Sequence, residues 1–116
     1  MEVYFKKKYK TLIIQVHGEI DHHTVMDLRG KIENALMEMG GRNIVFDFND
    51  VTFMDSSGIG MLIGRYKQLL AFGGRVVLIC VNEKIKEILK MSGLTTLIPC
   101  FETLEDAVND TEGRGK

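Results

Sequence analysis

Two hydroxyl side chains and two glycines stand close together in residues 55–60, which read Asp55-Ser56-Ser57-Gly58-Ile59-Gly60. Residues 43–48 before this motif alternate in apolar character and favour a strand, and the residues after Gly58 have apolar side chains at helical spacing. The serines therefore lie where a helix begins, and the unpaired N–H groups of a first helical turn attract anions. This arrangement suits a phosphate group on a serine. For the motif alone, a helix cap made by Ser56 or Asp55 is the simpler interpretation.

The helix after this motif is predicted for about residues 57–72, and Gly73-Gly74 ends it. Its apolar side would carry Ile59, Leu62, Ile63, Tyr66, Leu69 and Leu70, and its other side Gly60, Gly64, Lys67 and Gln68. Residues 76–81 are apolar without alternation, as in a strand that is covered on both faces. A strand, a helix and a second parallel strand form a right-handed crossover. We therefore expect Ser57 at an open rim, at the carboxyl edge of the sheet.

The other elements complete an α/β pattern. Residues 3–9 and 11–17 are predicted as a hairpin, and residues 24–39 as the first helix. A short third helix is predicted between a cap at Asn82 and Gly93, marked by Ile85, Ile88 and Leu89. Leu97-Ile98 could add a last edge strand before Pro99, and residues 103–110 a fourth helix. Residues 111–116 have no apolar anchor, and we expect a frayed, flexible tail.

Composition predicts an ordinary globular domain. The chain has 116 residues, 45% of them hydrophobic, and a net charge of -1, so it supports one core and implies no electrostatic partner such as a nucleic acid. No apolar run approaches the roughly 20 residues that span a bilayer, and the N-terminus lacks a signal-peptide core. We expect a cytoplasmic protein. Cys80 and Cys100 lack metal-site spacing and are expected to be reduced, with at least Cys80 buried.

Four motifs give the chain a family resemblance: GEIDHHT at residues 18–24, FMDSSGIG at residues 53–60, GRYKQ at residues 64–68 and MSGL at residues 91–94. With these motifs the chain resembles the anti-sigma factor antagonists of the STAS family, and more narrowly the anti-anti-sigma factors of sporulation. The resemblance covers about residues 3–108. It implies a single STAS domain over residues 1–110, with a mixed sheet of about four to five strands and about four helices packed mainly on one side.

The function that this resemblance implies is a protein-binding switch without a cofactor. In such proteins the second serine of the DSSG motif, here Ser57, is phosphorylated by a partner that is both anti-sigma factor and serine kinase. The unmodified form binds that partner and frees a sigma factor, and a metal-dependent serine phosphatase restores it after modification. The residues expected to bind the partner are Asp21, Asp55, Ser56, Gly58, Ile59, Gly60, Met61, Gly64 and Arg65.

Within that set, several placements are predicted from the residues themselves. Ser56 is the expected cap of the second helix, and Met61 is expected on or near the exposed side, where a flexible thioether suits an interface. Gly60 and Gly64 would allow another backbone to approach, which fits either close packing on the sheet or a partner surface.

The same residues fit other functions less well. A serine nucleophile would need a histidine base held by a carboxylate, and the GxSxG motif is absent. His22 and His23 are neighbours and lack the i,i+4 spacing of helix-borne metal ligands. A nucleotide-binding or small-anion-binding sensor domain remains the alternative, because helix N-termini bind phosphate groups, although no Walker-type GxxxxGK[ST] occurs.

Overall fold

The computed structural model describes residues 1–113, which form one five-stranded sheet and four α-helices. In chain order the elements are β1 (Glu2–Lys8), β2 (Thr11–Ile20), α1 (Val25–Met39), β3 (Asn43–Met54), α2 (Ser56–Leu70), β4 (Val76–Ile79), α3 (Glu83–Met91), β5 (Cys100–Phe101) and α4 (Leu104–Thr111). A short 3-10 helix, Leu94–Thr96, lies between α3 and β5. None of the helices in this described part is both long and apolar enough to cross a membrane.

The strands lie side by side in chain order, from β1 to β5. β1 and β2 form the predicted antiparallel hairpin, and β2, β3, β4 and β5 run parallel to one another. The helices α1, α2 and α3 make the crossovers between consecutive parallel strands. The mixed α/β sheet predicted from the sequence is therefore confirmed.

The sheet separates two hydrophobic clusters, because alternate residues of each strand point to opposite faces. The larger cluster joins one face of the strands to α1, α2 and α3, and includes Leu28, Ile32, Leu62, Ile85 and Leu89 from those helices. The smaller cluster joins the other face to α4 and consists of Ile13, Val45, Val77, Ile79, Ala107 and Val108. Three helices thus cover one face and one covers the other, in agreement with the predicted arrangement.

The last strand differs from the prediction. Leu97 and Ile98 are not in a strand: Leu97 ends the 3-10 helix, and Ile98 is buried in the larger cluster. The strand begins after Pro99, where Leu78 pairs with Cys100. Pro99 has no N–H to donate to the neighbouring strand, so the strand pairs with β4 from the residue after the proline.

The frayed tail predicted from Thr111 is wrong at its first two residues. Thr111 is the last residue of α4, and its buried hydroxyl lies 2.7 Å from the hydroxyl of Thr11. The Glu112 carboxylate accepts hydrogen bonds from the Thr11 hydroxyl at 2.6 Å and from the Lys10 N–H at 3.0 Å. Polar contacts therefore hold this segment in place of an apolar anchor. Gly113 follows in an exposed turn, and residues 114–116 of the predicted tail lie outside the described residues.

Both cysteines are free, as expected. Cys80 is buried and Cys100 is partly buried, and burial raises the pKa of both thiols. Because the thiolate is the reactive form of cysteine, neither thiol is activated at neutral pH.

Candidate functional site

The DSSG segment and the GEIDHHT loop leave the sheet at the same edge. Ile20 at the end of β2 pairs with Met54 at the end of β3, so the next residues, Asp21 and Asp55, start side by side. The Asp55 N–H donates to the Ile20 carbonyl at 3.2 Å. The N-termini of α1 and α2 consequently open onto one rim, as the crossover argument predicts for Ser57.

Asp55 caps the second helix, and the prediction that Ser56 does so is wrong. The Asp55 backbone is extended, and its carboxylate oxygen Oδ1 accepts the N–H of Ser57 at 2.8 Å. Ser56 is already the first helical residue and is exposed. A carboxylate cap also places negative charge at the positive end of the helix dipole, which a serine cap would not do.

The Ser57 side chain remains available for chemistry. Its backbone N–H is taken by Asp55, but no described residue forms a hydrogen bond with the Ser57 hydroxyl. The residue is half-buried and borders a groove between α1 and α2. Ser56, by contrast, does not line that groove. The two neighbouring serines therefore differ in what surrounds them.

The Asp21 loop is fixed by its own hydrogen bonds. Partial burial alone would raise the pKa of Asp21, but the N–H groups of His23 and Thr24 donate to its carboxylate at 2.9 and 3.0 Å. These bonds outweigh burial, and the pKa of Asp21 lies below its usual value. Its contribution to stability is present above the unfolded pKa and is lost as pH falls through the lowered folded pKa. Asp21 is therefore a fixed negative charge on the rim at neutral pH.

One side-chain contact joins the two segments of the rim. The Nδ1 atom of His22 lies 3.9 Å from Oδ2 of Asp55, and the His22 side chain is mostly exposed. The His22 and His23 rings also lie against each other, with centroids 3.9 Å apart and planes tilted by 41°. Exposed contacts of this kind contribute little to stability.

The groove between α1 and α2 has a volume of about 370 Å³ and begins at Ser57. Gly60 and Gly64 form its α2 side, and a Cβ atom added at either position would meet no heavy atom within 4 Å. These glycines therefore do not serve close packing on the sheet. They leave room above the helix for another chain, which favours the interpretation that this face is a partner surface.

Four residues expected to bind a partner prove to be largely internal. Gly58 is buried, and Met61, predicted near the exposed side, is only 6% exposed. Ile59 is partly buried and packs against the larger cluster. Arg65 is 7% exposed, although both it and Met61 line the groove. Helix α1 covers the side of α2 that carries Met61 and Arg65, and Gly58 lies against Met54 and Ile20 of the sheet, so the partner surface predicted from α2 alone was too wide.

The groove also contains residues of α1 that the sequence did not single out. Val25, Met26 and Arg29 form its opposite side, and Glu33 one turn further pairs with Arg65. In the sequence these residues stand out only as part of the polar face of the first helix. The sequence does not show that this helix packs beside α2. Burial lowers the pKa of Arg65, Glu33 opposes this change, and Arg29 adds to it. Arg65 stays cationic, because arginine is not deprotonated in proteins.

The cap assignment gives a direct prediction about stability. We expect Asp55→Ala to lower the unfolding free energy by about 1 kcal/mol, because the N–H of Ser57 loses its acceptor. The melting temperature should fall by about 4 °C in thermal unfolding followed by circular dichroism. The matched Ser56→Ala variant should stay within about 0.5 kcal/mol of the native chain. If Ser56→Ala lowered the unfolding free energy more than Asp55→Ala does, Ser56 and not Asp55 would be the cap.

Comparisons with known proteins agree with this geometry. The STAS domain family model matches residues 2–107. The anti-sigma F factor antagonist of Paenibacillus polymyxa is 35% identical over 101 residues, which are 87% of this chain and 86% of that protein. The solved structure of the anti-sigma factor antagonist SpoIIAA in its unphosphorylated form is 31% identical, with a TM-score of 0.80 and 97% coverage of both chains.

A second solved structure bears on modification. The Bacillus cell fate determinant SpoIIAA in the phosphorylated form is also 31% identical, with a TM-score of 0.71, and the match covers 94% of this chain and 98% of that one. The family model and the 35% identical relative each extend over most of the chain. The chain therefore belongs to the STAS domain family, in its branch of anti-sigma factor antagonists.

Proposed function

We propose that the unmodified chain binds an anti-sigma factor that is also a serine kinase, and thereby releases a sigma factor. Phosphorylation of Ser57 ends this binding, and a metal-dependent serine phosphatase restores it. The cycle acts in the cytoplasm and controls sporulation transcription. Its support is the resemblance in the four motifs and the relatives named anti-sigma F factor antagonist.

Ser57 is proposed as the phosphorylated residue because its hydroxyl is free and lies beside the groove. The hydroxyl has no hydrogen-bond partner among the described residues, so a kinase need not break a native contact to use it. It lies on the second residue of α2, where N–H groups and the helix dipole favour a phosphate. The exposed Ser56 has the same hydroxyl but does not border the groove.

The rim around Ser57 supplies the recognition surface. The Asp21 carboxylate carries a negative charge and accepts two backbone hydrogen bonds. Asp21 follows the end of β2 and lies next to Asp55, which follows the end of β3. Gly60 and Gly64 leave the α2 side of the groove open. A kinase that reaches the Ser57 hydroxyl must lie over this rim and groove. Its specificity for the unmodified form would then follow from contact with the hydroxyl itself.

The test is phosphate transfer from the cognate anti-sigma factor with ATP, followed by peptide mapping in a mass spectrometer. We expect one phosphate on Ser57, none on the Ser57→Ala variant, and normal transfer to Ser56→Ala. A phosphate on Ser56, or an unmodified chain that forms no complex with the anti-sigma factor, would contradict the proposal.

A parallel titration of the unmodified chain with ATP, GTP and their diphosphates tests the nucleotide-sensor alternative. Saturable binding of a nucleotide without the partner would favour that alternative.

A further inference from the structure

Arg65 is a buried cation whose hydrogen bonds are incomplete. Its side chain is 92% buried, since 8% of it is exposed, and its Nε and Nη1 atoms are buried without a hydrogen-bond partner among the described residues. The nearest acid is Glu33, whose Oε2 lies 3.7 Å from Nε, within ion-pair range but too far for a hydrogen bond. A buried guanidinium normally has its donors satisfied, because an unpaired buried charge is costly.

Glu33 cannot fully satisfy this guanidinium in the observed arrangement. Its other oxygen, Oε1, accepts a hydrogen bond from Nε2 of Gln68 at 3.2 Å, and its side chain is 40% exposed. The Gln68 carbonyl Oε1 is itself buried without a partner. Within the described part of the chain, the cluster therefore contains two unpaired donors on Arg65 and one unpaired acceptor on Gln68, and Arg65 lines the groove.

The charge of the groove favours an anionic occupant. Among the described residues, Arg29 from α1 and Arg65 from α2 are the charged side chains that line it, and Glu33 beside it pairs with Arg65. Asp27, the other acid nearby in α1, is already paired with Lys31 at 3.0 Å. An incoming carboxylate would provide the missing acceptor once the side chains that cover Nε and Nη1 shift, and the planar fork of an arginine suits its two oxygens.

We propose that this groove receives a carboxylate side chain of the anti-sigma factor, which accepts hydrogen bonds from Arg65 while the partner backbone lies over Gly60 and Gly64. This inference rests on the proposed function, because the partner is the kinase that reaches Ser57 at the head of the same groove. The partner's carboxylate completes a hydrogen-bond set that the free chain leaves open.

A phosphate on Ser57 is not the natural partner of Arg65. Arg65 lies eight positions after Ser57 in α2, which is about 12 Å along the helix axis. A phosphoserine at the head of the groove instead places its charge beside the path of the incoming carboxylate. At that distance from Arg65 its repulsion of the bound carboxylate is largely screened, so it acts on the part of the partner that lies over the head of the groove.

The first experiment compares the affinity of arginine variants for the anti-sigma factor by isothermal titration calorimetry. We expect Arg65→Gln to weaken binding at least tenfold and Arg65→Lys to weaken it less, because lysine keeps the charge but not the fork. Arg75→Gln is the matched control. Arg75 lies before β4 at the opposite edge of the sheet and pairs with Asp110 at 2.9 Å, so this variant should bind within twofold of the native chain.

Folding is checked separately. Glu33 loses its partner in Arg65→Gln, but its side chain is 40% exposed, so water can solvate the remaining charge. Arg65→Gln should therefore unfold close to the native temperature. A folded Arg65→Gln chain that binds the anti-sigma factor with native affinity would overturn the inference and leave the proposed function intact. A native chain that binds no anti-sigma factor would instead remove the proposed function, and this inference with it.

A charge-swap experiment identifies the occupant. The Arg65→Glu chain is tested against anti-sigma factor variants in which acidic surface residues are changed one at a time to lysine. We expect one of these variants to bind Arg65→Glu at least tenfold more tightly than the native partner does. No rescue by any acidic position would contradict a carboxylate occupant.

A spectroscopic test separates the carboxylate from the chain's own phosphate. The Nε–Hε resonance of Arg65 should shift when the unmodified chain binds its partner. An equal shift produced by phosphorylation of Ser57 without the partner would assign the guanidinium to that phosphate and overturn the proposal.

Discussion

Phosphorylation of Ser57 should weaken binding to the anti-sigma factor by about a thousandfold, which corresponds to about 4 kcal/mol. A phosphoserine carries a charge of about -1.5 to -2 at neutral pH. At the head of the groove this charge and its bulk must be accommodated against a docked surface, where an unmatched anion costs several kcal/mol. The measurement is the dissociation constant of each form, determined by calorimetry at one salt concentration.

Phosphorylation of Ser57 should not appreciably lower the stability of the chain, although it lowers the affinity for the partner. A phosphate on the first turn of α2 meets N–H groups and the positive end of the helix dipole, an interaction worth about 0.3–1 kcal/mol and up to about 2 when partly buried. Repulsion from the Asp55 and Asp21 carboxylates opposes this gain, so the melting temperature should stay within a few degrees of the unmodified value. Loss of affinity without loss of stability is the signature of a modification that acts at the interface.

Ser56 offers a matched control for the position of the charge. Ser57→Glu should weaken binding at least tenfold, although less than a phosphate does, because it adds a single charge. Ser56→Glu adds the same charge one residue earlier, on an exposed side chain outside the groove, and should weaken binding less. Equal losses for the two variants would show that charge anywhere on the rim suffices, without a role for the groove.

The backbone should be nearly unchanged by the phosphate. Because α2 begins with a cap from Asp55 and its first turn favours an anion, no rearrangement is needed to accept the group. Amide hydrogen exchange along α2 should be equal or slower after phosphorylation. Faster exchange through the whole first half of α2 would indicate unwinding, and the modification would then act through the fold.

The fold could be predicted from the sequence where a hydrophobic period is long and bounded by glycine. The helix ending at Met39 before Gly40-Gly41 and the fully buried strand β4 are examples. Short elements could not be predicted in this way. β5 has two residues, and its place depends on pairing with β4 and on Pro99, neither of which has a periodic signal.

The position of Ser57 could also be predicted, but its surroundings could not. The strand–helix crossover places the motif at the carboxyl edge from topology alone. Asp55 and Ser56 are both good caps by residue type, so only the backbone geometry decides between them. Likewise, the burial of Met61 and Arg65 depends on α1 lying beside α2, which is a tertiary contact.

Gly58→Ala should be the most damaging of the glycine-to-alanine changes in α2. A Cβ at Gly58 would lie 2.6 Å from Cγ of Met54 and 3.1 Å from Cγ2 of Ile20, and both side chains are buried. Overpacking of this kind typically costs about 1–3 kcal/mol. We expect the melting temperature to fall by about 5–10 °C for a loss near 2 kcal/mol, measured by calorimetry or circular dichroism.

The other two glycines of α2 provide the contrast. Gly60→Ala and Gly64→Ala meet open space, and alanine is favoured over glycine in a helix by up to about 1 kcal/mol, so both variants should be as stable as the native chain or more stable. Their larger polar variants, such as Gly60→Gln, should remain folded yet bind the anti-sigma factor at least tenfold more weakly, because the side chain occupies the groove. Gly58→Ala should show the reverse, with reduced stability and near-native affinity per folded molecule. The double variant with glutamine at Gly60 and Gly64 tests this role of the groove. If it folds and binds the anti-sigma factor with native affinity, only the rim around Ser57 takes part in recognition.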